Sequence, residues 1–418
     1  MKKSLSLMLV LVLVFSCMGF AEATSAEEKV VIEFAQWWEP EFPEGKMREI
    51  VDGFESENPG IQVNLISNPY NSTHDLLVAS AATGTMSDVV GVDGTWVYDL
   101  SQMNALLPLD EYIAGEKDFT IDEISTCKVG ETTYMIPVVV YSYHLFCNKT
   151  LLAKVGIKEM PRTWSEFMDA CQKINDPEAN IYGWMLALSN AYPSSSQDQF
   201  MSWAWASGSD MYNEGKAVFA SDAQVSATAE FFKSCYDAGV LNPGVFSLTS
   251  SDMMDTFANG YAGFMVSTCA AINSVRAANP SLDFTISAIP TQDGYAGESG
   301  IMYAPWGIGI SSSTKHPQEA WEFVSYLMKA ANNTNFAQYA NALPGNSKAT
   351  VNSSDEAFLK GFDVVQNNYL INEMQGLPQA EDLMKNLTEE IQLAFLGDQT
   401  VSESLTKSEA AWNETIAG

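Results

Sequence analysis

Segments with the character of strands and of helices alternate along the first quarter of the chain. The predicted strands are 29–37, 61–66 and 88–92, and the predicted helices among them are 45–58, 76–82 and 96–103. A chain that alternates in this way has to pack its helices over the faces of a sheet. The sequence therefore predicts an α/β architecture.

The chain is too long for a single hydrophobic core. It has 418 residues, of which 46% are hydrophobic, whereas single cores usually stop growing at about 250–300 residues. We find no long Gly/Ser linker between two halves, which favours two interwoven domains over two consecutive ones. The last quarter is more helical, with predicted helices at 316–331, 379–395 and 401–415.

The N-terminus has the pattern of a secretory signal. A positively charged start precedes the apolar run 5–15. Two positions for cleavage stay open. The small residues at 21–23 suit a signal peptidase, which would remove residues 1–23, whereas 14–17 resembles a lipoprotein box that would leave an acylated Cys17 as the new terminus. Both interpretations predict an exported protein, periplasmic or at the cell surface, and the second adds a lipid anchor at Cys17.

The net charge of −31 excludes some partners. A field of this sign repels nucleic acid and anionic membrane surfaces, so we expect neither as a partner. The charge alone does not indicate a cationic ligand, because scattered acidic residues keep an exported protein soluble.

Cysteine and histidine usage argues against a metal or a cofactor. Beyond Cys17 the chain has five cysteines with no CxxC pair, at positions 127, 147, 171, 235 and 269. An odd number cannot pair completely, although one disulfide stays open. The three histidines, at 74, 144 and 316, are far apart and form no HExxH motif. We predict no metal and no prosthetic group.

Enzyme motifs are also scarce. The chain has no GxSxG elbow and no GxxxxGK loop. Residues 307–312 begin like a dinucleotide-binding loop but lack its third glycine, so we expect a tight turn there. The sequence predicts a protein that is not an enzyme. An exported glycan hydrolase with paired carboxylates remains an alternative, since 52 acidic residues are present.

Aromatic residues concentrate at predicted strand ends and in loops. These are Trp37, Trp38, Trp96, Tyr141, Tyr143, Trp184, Trp203, Trp205 and Trp306. An aromatic ring covers the flat C–H face of a sugar, and polar side chains bind its hydroxyls. The pattern favours a sugar ligand, with packing in the core as the alternative for each single tryptophan. Trp164 and Trp321 lie on predicted helix faces and are assigned to the core.

Five sequence blocks, in order, carry a family resemblance. They are FESENPGIQV at 54–63, GTMSDVV at 84–90 with LLPLD at 106–110, YMIP at 134–137 with CNKTL at 147–151, PRTWSEF at 161–167, and KHPQEAWEF at 315–323. With them the chain resembles the extracellular solute-binding proteins of the maltose-binding type, which serve ABC importers of sugars.

The resemblance implies a two-lobed periplasmic-binding-protein fold of type II, with interwoven lobes joined by hinge crossovers. It places one lobe at 27–138 and 306–340 and the other at 144–302 and 345–418. The crossovers are expected near 138–143, 303–306 and 341–344, and the ligand is expected in the cleft between the lobes.

The resemblance also implies which residues bind the ligand. They are Trp37, Trp38 and Glu39 after the first strand, Asp93 and Trp96 after the third, Tyr141 in a crossover, and Trp306 and Asn346 beside the other crossovers. Trp38 and Trp306 are expected to face each other across the cleft. Two departures, Ala271 and Met384 where relatives carry aromatic residues, argue against a maltodextrin and for a smaller or differently shaped sugar.

The predicted function is capture of a small polar ligand, a mono- or oligosaccharide, and its delivery to the permease and ATPase subunits of an ABC importer. We expect the binding protein itself to be a monomer. Within the same class, a polyamine or a metal chelate is the alternative ligand.

Overall fold

A computed structural model describes residues 29–118, 120 and 128–417. The predicted signal segment, the acylation site Cys17 and Cys127 lie outside the described residues. Within the described part, no helix is long and apolar enough to cross a membrane.

The described chain contains fourteen strands. They are β1 (Val30–Gln36), β2 (Ile61–Ser67), β3 (Val89–Asp93), β4 (Lys128–Val129), β5 (Thr132–Thr133), β6 (Ile136–Asn148), β7 (Tyr182–Met185), β8 (Tyr212–Asn213), β9 (Lys216–Ala217), β10 (Ala262–Thr268), β11 (Phe284–Ser287), β12 (Gly300–Ile310), β13 (Leu343–Pro344) and β14 (Tyr369–Ile371).

Fifteen α-helices surround these strands in the same residues. They are α1 (Lys46–Glu57), α2 (Tyr70–Thr83), α3 (Val97–Gln102), α4 (Asp110–Gly115), α5 (Lys149–Lys154), α6 (Trp164–Ile174), α7 (Ser202–Ala206), α8 (Ala223–Asp237), α9 (Ser250–Ala258), α10 (Ala271–Ala278), α11 (Pro317–Met328), α12 (Ala330–Ala340), α13 (Glu356–Gln366), α14 (Ala380–Leu396) and α15 (Val401–Ala417). Two 3₁₀ turns, Glu39–Glu41 and Pro177–Ala179, and one π-helix, Ser196–Met201, complete the set.

One mixed sheet runs through the molecule in the order β2-β1-β3-β12-β6-β10-β7. The pairs of β1 with β2 and β3 are parallel, as is the pair of β10 with β7, whereas β12 pairs antiparallel with both β3 and β6. The predicted α/β architecture is confirmed.

The long strands β6 and β12 connect the two ends of this sheet. Tyr303 pairs with Ser142 and Trp306 with Val139, while Leu343 of β13 pairs with Val140. The three segments expected to form crossovers therefore lie side by side. The last part of β6 then pairs with β10 and β11, and the last part of β12 pairs with β3.

The glycine-rich segment 307–312 is not the expected tight turn, because β12 continues through it to Ile310. Gly307 lies opposite Pro137, where the register of the two strands shifts. A Cβ atom at Gly307 would lie 1.9 Å from the Met135 sulfur and 2.7 Å from the Val92 carbonyl oxygen. The strand needs glycine there for this close approach and not for a turn.

Three buried hydrophobic clusters fill the two ends of the sheet. The first draws its residues from 32–141 and 306–342, together with Ala270. The second draws from 145–302 and 374–412, and a smaller third cluster around Phe146 and Phe257 lies beside it. We call the part of the molecule around the first cluster the first lobe and the part around the other two the second lobe.

Helix α6 shows how local sequence positions these elements. The Thr163 hydroxyl accepts a hydrogen bond from the Glu166 backbone N–H. The Glu166 carboxylate accepts from the Arg162 backbone N–H at 2.8 Å, so it does not close a capping box with Thr163. Trp164, the next residue, is buried against Phe231 and belongs to the core, as predicted.

The four described cysteines, 147, 171, 235 and 269, are free and buried. Burial raises the pKa of the Cys147 and Cys269 thiols to about 12, which keeps them protonated and unreactive at neutral pH.

Candidate functional site

A cavity of about 610 Å³ lies between the two lobes, with walls from both. Its rings are Trp37, Tyr70, Tyr141 and Trp306 from the first lobe and Tyr143 and Tyr192 from the second. Its polar side chains include Glu41, Asn68, Asp93, Ser194, Gln197, Asp198, Gln199, Ser267, Thr268 and Ser274. Rings that cover apolar faces, next to groups that bind hydroxyls, suit a small polyhydroxylated molecule.

Gln36 sets the position of Trp37 at the end of β1. Its side-chain oxygen accepts hydrogen bonds from the backbone N–H groups of Trp38 and Glu39, and this turns the chain away from the sheet. Trp37 then borders the cavity, and the edges of its ring meet Trp96 and Trp306.

Trp38 does not border the cavity. It is fully buried, and its ring stacks on that of Trp306 with centroids 5.4 Å apart and planes 3° apart. Both tryptophans follow the end of β1, where the bonds to Gln36 turn the backbone, and only Trp37 reaches the cleft. The expected position of Trp38 across the cleft from Trp306 is therefore wrong.

Glu39 is exposed on the surface, whereas Glu41, two residues later, lines the cavity. Both residues lie in the 3₁₀ turn that follows Trp38, and with three residues per turn they point in different directions. Glu41 is thus the carboxylate that this segment contributes.

Asp93 ends β3 and lines the cavity. One of its oxygens accepts from the Thr95 backbone N–H at 2.9 Å and from the Thr95 hydroxyl at 2.7 Å. The other oxygen accepts from the Tyr70 hydroxyl at 3.3 Å. These bonds fix the carboxylate at the wall formed by the first lobe.

Tyr141 and Trp306 both border the cavity. They lie on the adjacent strands β6 and β12, and their ring centroids are 4.6 Å apart at an interplanar angle of 65°. The Tyr141 hydroxyl is buried and has no hydrogen-bond partner among the described residues.

Asn346 lies away from the cavity in the interior of the first lobe. Its side-chain nitrogen donates to the Met328 carbonyl at 2.8 Å, and its side-chain oxygen accepts from the Thr120 and Lys348 backbone N–H groups. All of its polar atoms hold neighbouring loops, so the structure places Asn346 in a structural network and not at the expected binding site.

Trp96 lines a second, smaller cavity of about 350 Å³ beside the first. Its Nε1 donates to Glu381 Oε1 at 2.7 Å, a bond from the first lobe to the second. His74 Nδ1 lies 3.9 Å from the other oxygen of Glu381. Trp96 therefore joins the lobes at the edge of the cleft, behind Tyr70.

The second lobe contributes a segment that the sequence analysis missed. The π-helix Ser196–Met201 presents Gln197, Asp198 and Gln199 to the cavity. Asp198 accepts a hydrogen bond from the Tyr192 hydroxyl. A π-helical turn frequently marks a functional site, and the unusual run of polar residues in SSSQDQ, directly before a tryptophan-rich helix, was the available signal.

Burial in the cavity changes the acidity of its carboxylates. Loss of water raises the pKa of Glu41 to about 8 and that of Asp198 to about 7. Burial also raises the pKa of Asp93, although its bonds to Thr95 act in the opposite direction. Without a cation beside them, these carboxyl groups therefore hold protons more readily than carboxyl groups in water.

Both positions where the sequence departs from the maltose-binding pattern lie in the second lobe. Ala271 lines the cavity, where a larger residue would reduce the volume. Met384 is fully buried in the second core and does not reach the cavity. Among the described residues, no three His, Cys, Asp or Glu side chains come together in a group suited to a metal ion.

Residues 39–334 match the family model for bacterial extracellular solute-binding proteins. A protein of Brucella abortus (strain 2308) named as a binding protein is 27% identical over 352 residues, which cover 82% of this chain and 83% of that one. The multiple sugar-binding protein of Streptococcus mutans is 24% identical over 340 residues and 76% of each chain.

A solved structure has the same fold. The tagatose-bound ABC transporter solute-binding protein of Thermotoga lettingae superimposes with a TM-score of 0.81 at 19% identity, over 93% of this chain and all of that one. The match extends over both lobes and the strands that join them.

Proposed function

Because this chain belongs to the family of bacterial extracellular solute-binding proteins, we propose that it captures a mono- or short oligosaccharide between its lobes and delivers it to an ABC importer. The observation that carries the proposal is the interlobe cavity, where Trp37, Trp306 and four tyrosine rings lie beside thirteen other polar side chains. The names of two similar proteins, which mention multiple sugars and tagatose, support a sugar.

The volume and the wall composition favour a small sugar. The cavity of about 610 Å³ lies in the range that ordinarily holds one small ligand. Each ring that covers a sugar face contributes roughly 0.5–1.5 kcal/mol beyond the buried area, if such contacts resemble aromatic pairs.

The mechanism follows from contacts that already join the lobes. The Tyr70 hydroxyl lies 3.3 Å from Asp93 and 3.4 Å from the Ser194 hydroxyl of the second lobe, so it connects the two walls. A ligand that touches both walls stabilises the closed arrangement over an open one, and closure is the signal that a transporter can recognise. The hinge is then the paired segment of β6, β12 and β13.

The proposal includes further features. The lobes divide at 27–138 with 306–340 and at 144–302 with 345–418. The protein acts as a monomer, partners with permease and ATPase subunits, performs no chemistry on its ligand, and is exported, with Cys17 as the anchor if the lipoprotein box is used. These features rest on the family and on the sequence patterns of the N-terminus.

The test is a thermal-shift screen of the mature chain against mono- and oligosaccharides, followed by calorimetric titration. A ligand at 100 times its dissociation constant adds about 2.7 kcal/mol of stability. Release of reducing sugar from the same panel would instead indicate a hydrolase. Binding of none of the sugars would contradict the proposal.

A further inference from the structure

The charges of the cavity are unbalanced. Three carboxylates line it, those of Glu41, Asp93 and Asp198, and the side chains that line it include no lysine, arginine or histidine. None of the three carboxylates takes part in an ion pair among the described residues. His74, whose charge lowers the pKa of Asp93, lines the neighbouring second cavity and not this one. No protein cation in the cavity wall therefore compensates these carboxylates when a ligand displaces water.

Among the residues that line the cavity, the buried polar atoms without a hydrogen-bond partner are mainly acceptors. Asp198 Oδ1, Gln197 Oε1 and Gln199 Oε1 are buried and accept no hydrogen bond from the described residues. The orientation of Gln199 is set by its Nε2, which donates to the Val266 carbonyl at 3.3 Å. The other oxygen of Asp198 accepts from the Tyr192 hydroxyl, and the nearby Tyr143 hydroxyl also favours the charged form of this carboxylate.

A ligand that satisfies this wall has to supply donors. A hydroxyl group donates one hydrogen bond, whereas an ammonium group donates three and accepts none. Three consecutive residues that all present free acceptor oxygens, one of them a carboxylate, therefore match an ammonium group better than a hydroxyl. The rings of Tyr143 and Tyr192 beside them favour a cation as well, because the face of an aromatic ring attracts positive charge.

We propose that the ligand is a carbohydrate that carries a protonated amine, and that Gln197, Asp198 and Gln199 bind this amine. The inference rests on the proposed function and adds the charge of the ligand to it. The remaining rings, above all Trp37 and Trp306, cover the sugar faces, while Asp93 and Tyr141 bind hydroxyls.

The experiment is calorimetric titration of the mature chain at neutral pH with matched pairs of sugars. The pairs are D-glucosamine with D-glucose, D-galactosamine with D-galactose, and fully deacetylated chitobiose with cellobiose. Spermidine and putrescine test amines that are not sugars. At least one amine-bearing sugar is expected to bind about tenfold or more tightly than its neutral partner, which is the advantage that one charge-assisted hydrogen bond supplies.

The variant Asp198→Asn tests the assigned position. It keeps the shape of the side chain and removes the charge, so the preference for the amine should fall to about twofold or less. Asp363→Asn, an exposed position on α13, is the matched control and should keep the preference. Thermal unfolding of both variants shows whether the fold is intact. A preference that survives Asp198→Asn would overturn the assignment to this wall.

The other outcomes separate the inference from the proposed function. Equal or tighter binding of the neutral sugars overturns the inference and leaves the proposed function standing. Binding of the polyamines alone overturns both the sugar and the amino-sugar ligand. Binding of no member of the panel contradicts the proposed function and the inference together.

Discussion

The indole rings of Trp38 and Trp306 stack almost in parallel, with centroids 5.4 Å apart, inside the first lobe. Trp38 is fully buried, whereas Trp306 also borders the cavity. Phe336 meets the Trp38 ring edge-on at 5.7 Å and continues the stack into the core. The cavity wall that Trp306 forms is therefore supported directly by core packing.

Trp38→Ala is expected to lower the free energy of unfolding by about 3–5 kcal/mol, because it leaves a large cavity in the first core. Trp321→Ala, in the same core and away from the cavity, should cost a similar amount and serves as reference. Trp306→Ala should reduce both stability and ligand affinity. Denaturant unfolding and calorimetric titration measure the two effects. If Trp38→Ala weakened binding at unchanged stability, the assignment of Trp38 to the core would be wrong.

Trp96→Phe is expected to weaken ligand binding, since it removes the donor that bonds to Glu381 of the other lobe at 2.7 Å. A hydrogen bond to a charged group contributes roughly 1.5–3 kcal/mol, here to the closed arrangement of the lobes. The matched control is Trp205→Phe, which removes a 2.6 Å indole bond to Glu373 within the second lobe.

The two tryptophan variants should therefore separate in their effects. Both residues are buried, so the loss of packing is common to the two variants. Trp205→Phe should cost more stability and leave the affinity of the folded protein nearly unchanged, whereas Trp96→Phe should cost less stability and weaken binding. Calorimetric titration and thermal melting of both variants give the comparison. Equal losses of stability would mean that the Trp96 bond belongs to a permanent interface.

The unliganded protein is expected to lose stability as the pH rises from about 4 to about 7. The pKa of Asp198 is raised by burial from 3.8 to about 7 in the folded state, so in this window the folded protein binds more protons than the unfolded chain. The slope of the unfolding free energy is then negative, at most about 1.4 kcal/mol per pH unit for this group.

Asp198→Asn removes this titrating group. The difference in unfolding free energy between the wild type and the variant, followed across pH, therefore isolates the contribution of Asp198 from that of other groups. Denaturant unfolding across the window should give a flatter profile for the variant. Parallel profiles for the two proteins would show that Asp198 keeps an ordinary pKa.

Gly345→Ala is expected to destabilise the protein by roughly 1–3 kcal/mol or more, because the added Cβ overpacks the joining strands. It would lie 1.7 Å from the Pro137 carbonyl oxygen, and backbone there cannot move without disturbing β6. Gly60→Ala has no heavy atom within 4 Å of the new Cβ and is the control. Both variants restrict the unfolded chain equally, so this effect cancels when they are compared. Chemical denaturation gives the free energy of unfolding of each variant, and equal values for the two would contradict the predicted clash.

The overall architecture could be predicted from the sequence because it depends on periodic apolar patterns. The predicted strand 61–66 is β2, and the predicted helices 379–395 and 401–415 are α14 and α15 with shifts of one or two residues. Strand β6 begins at Ile136 and continues through Pro137, beside the register shift between β6 and β12, where a residue without a backbone N–H is tolerated.

The site was only partly predictable, because a contact between lobes leaves no periodic pattern. Trp37, Asp93, Tyr141 and Trp306, which are all predicted to bind the ligand, border the cavity. Which of Trp37 and Trp38 does so depends on how Gln36 turns the backbone, and the sequence alone does not show this. Residues 197–199 escaped prediction for a related reason, since their exposure to the cavity depends on the π-helix.

The pairing of β12 with β3 and β6 has a consequence for how the chain is made. The first lobe begins at β1 but completes its sheet only with β12, and it completes its core only with α12, more than 200 residues after β3. During synthesis from the N-terminus, the first three strands are therefore made long before β12, the strand that pairs with β3. Contacts that close such long loops form slowly, so the first lobe is expected to finish folding only after most of the chain has been made.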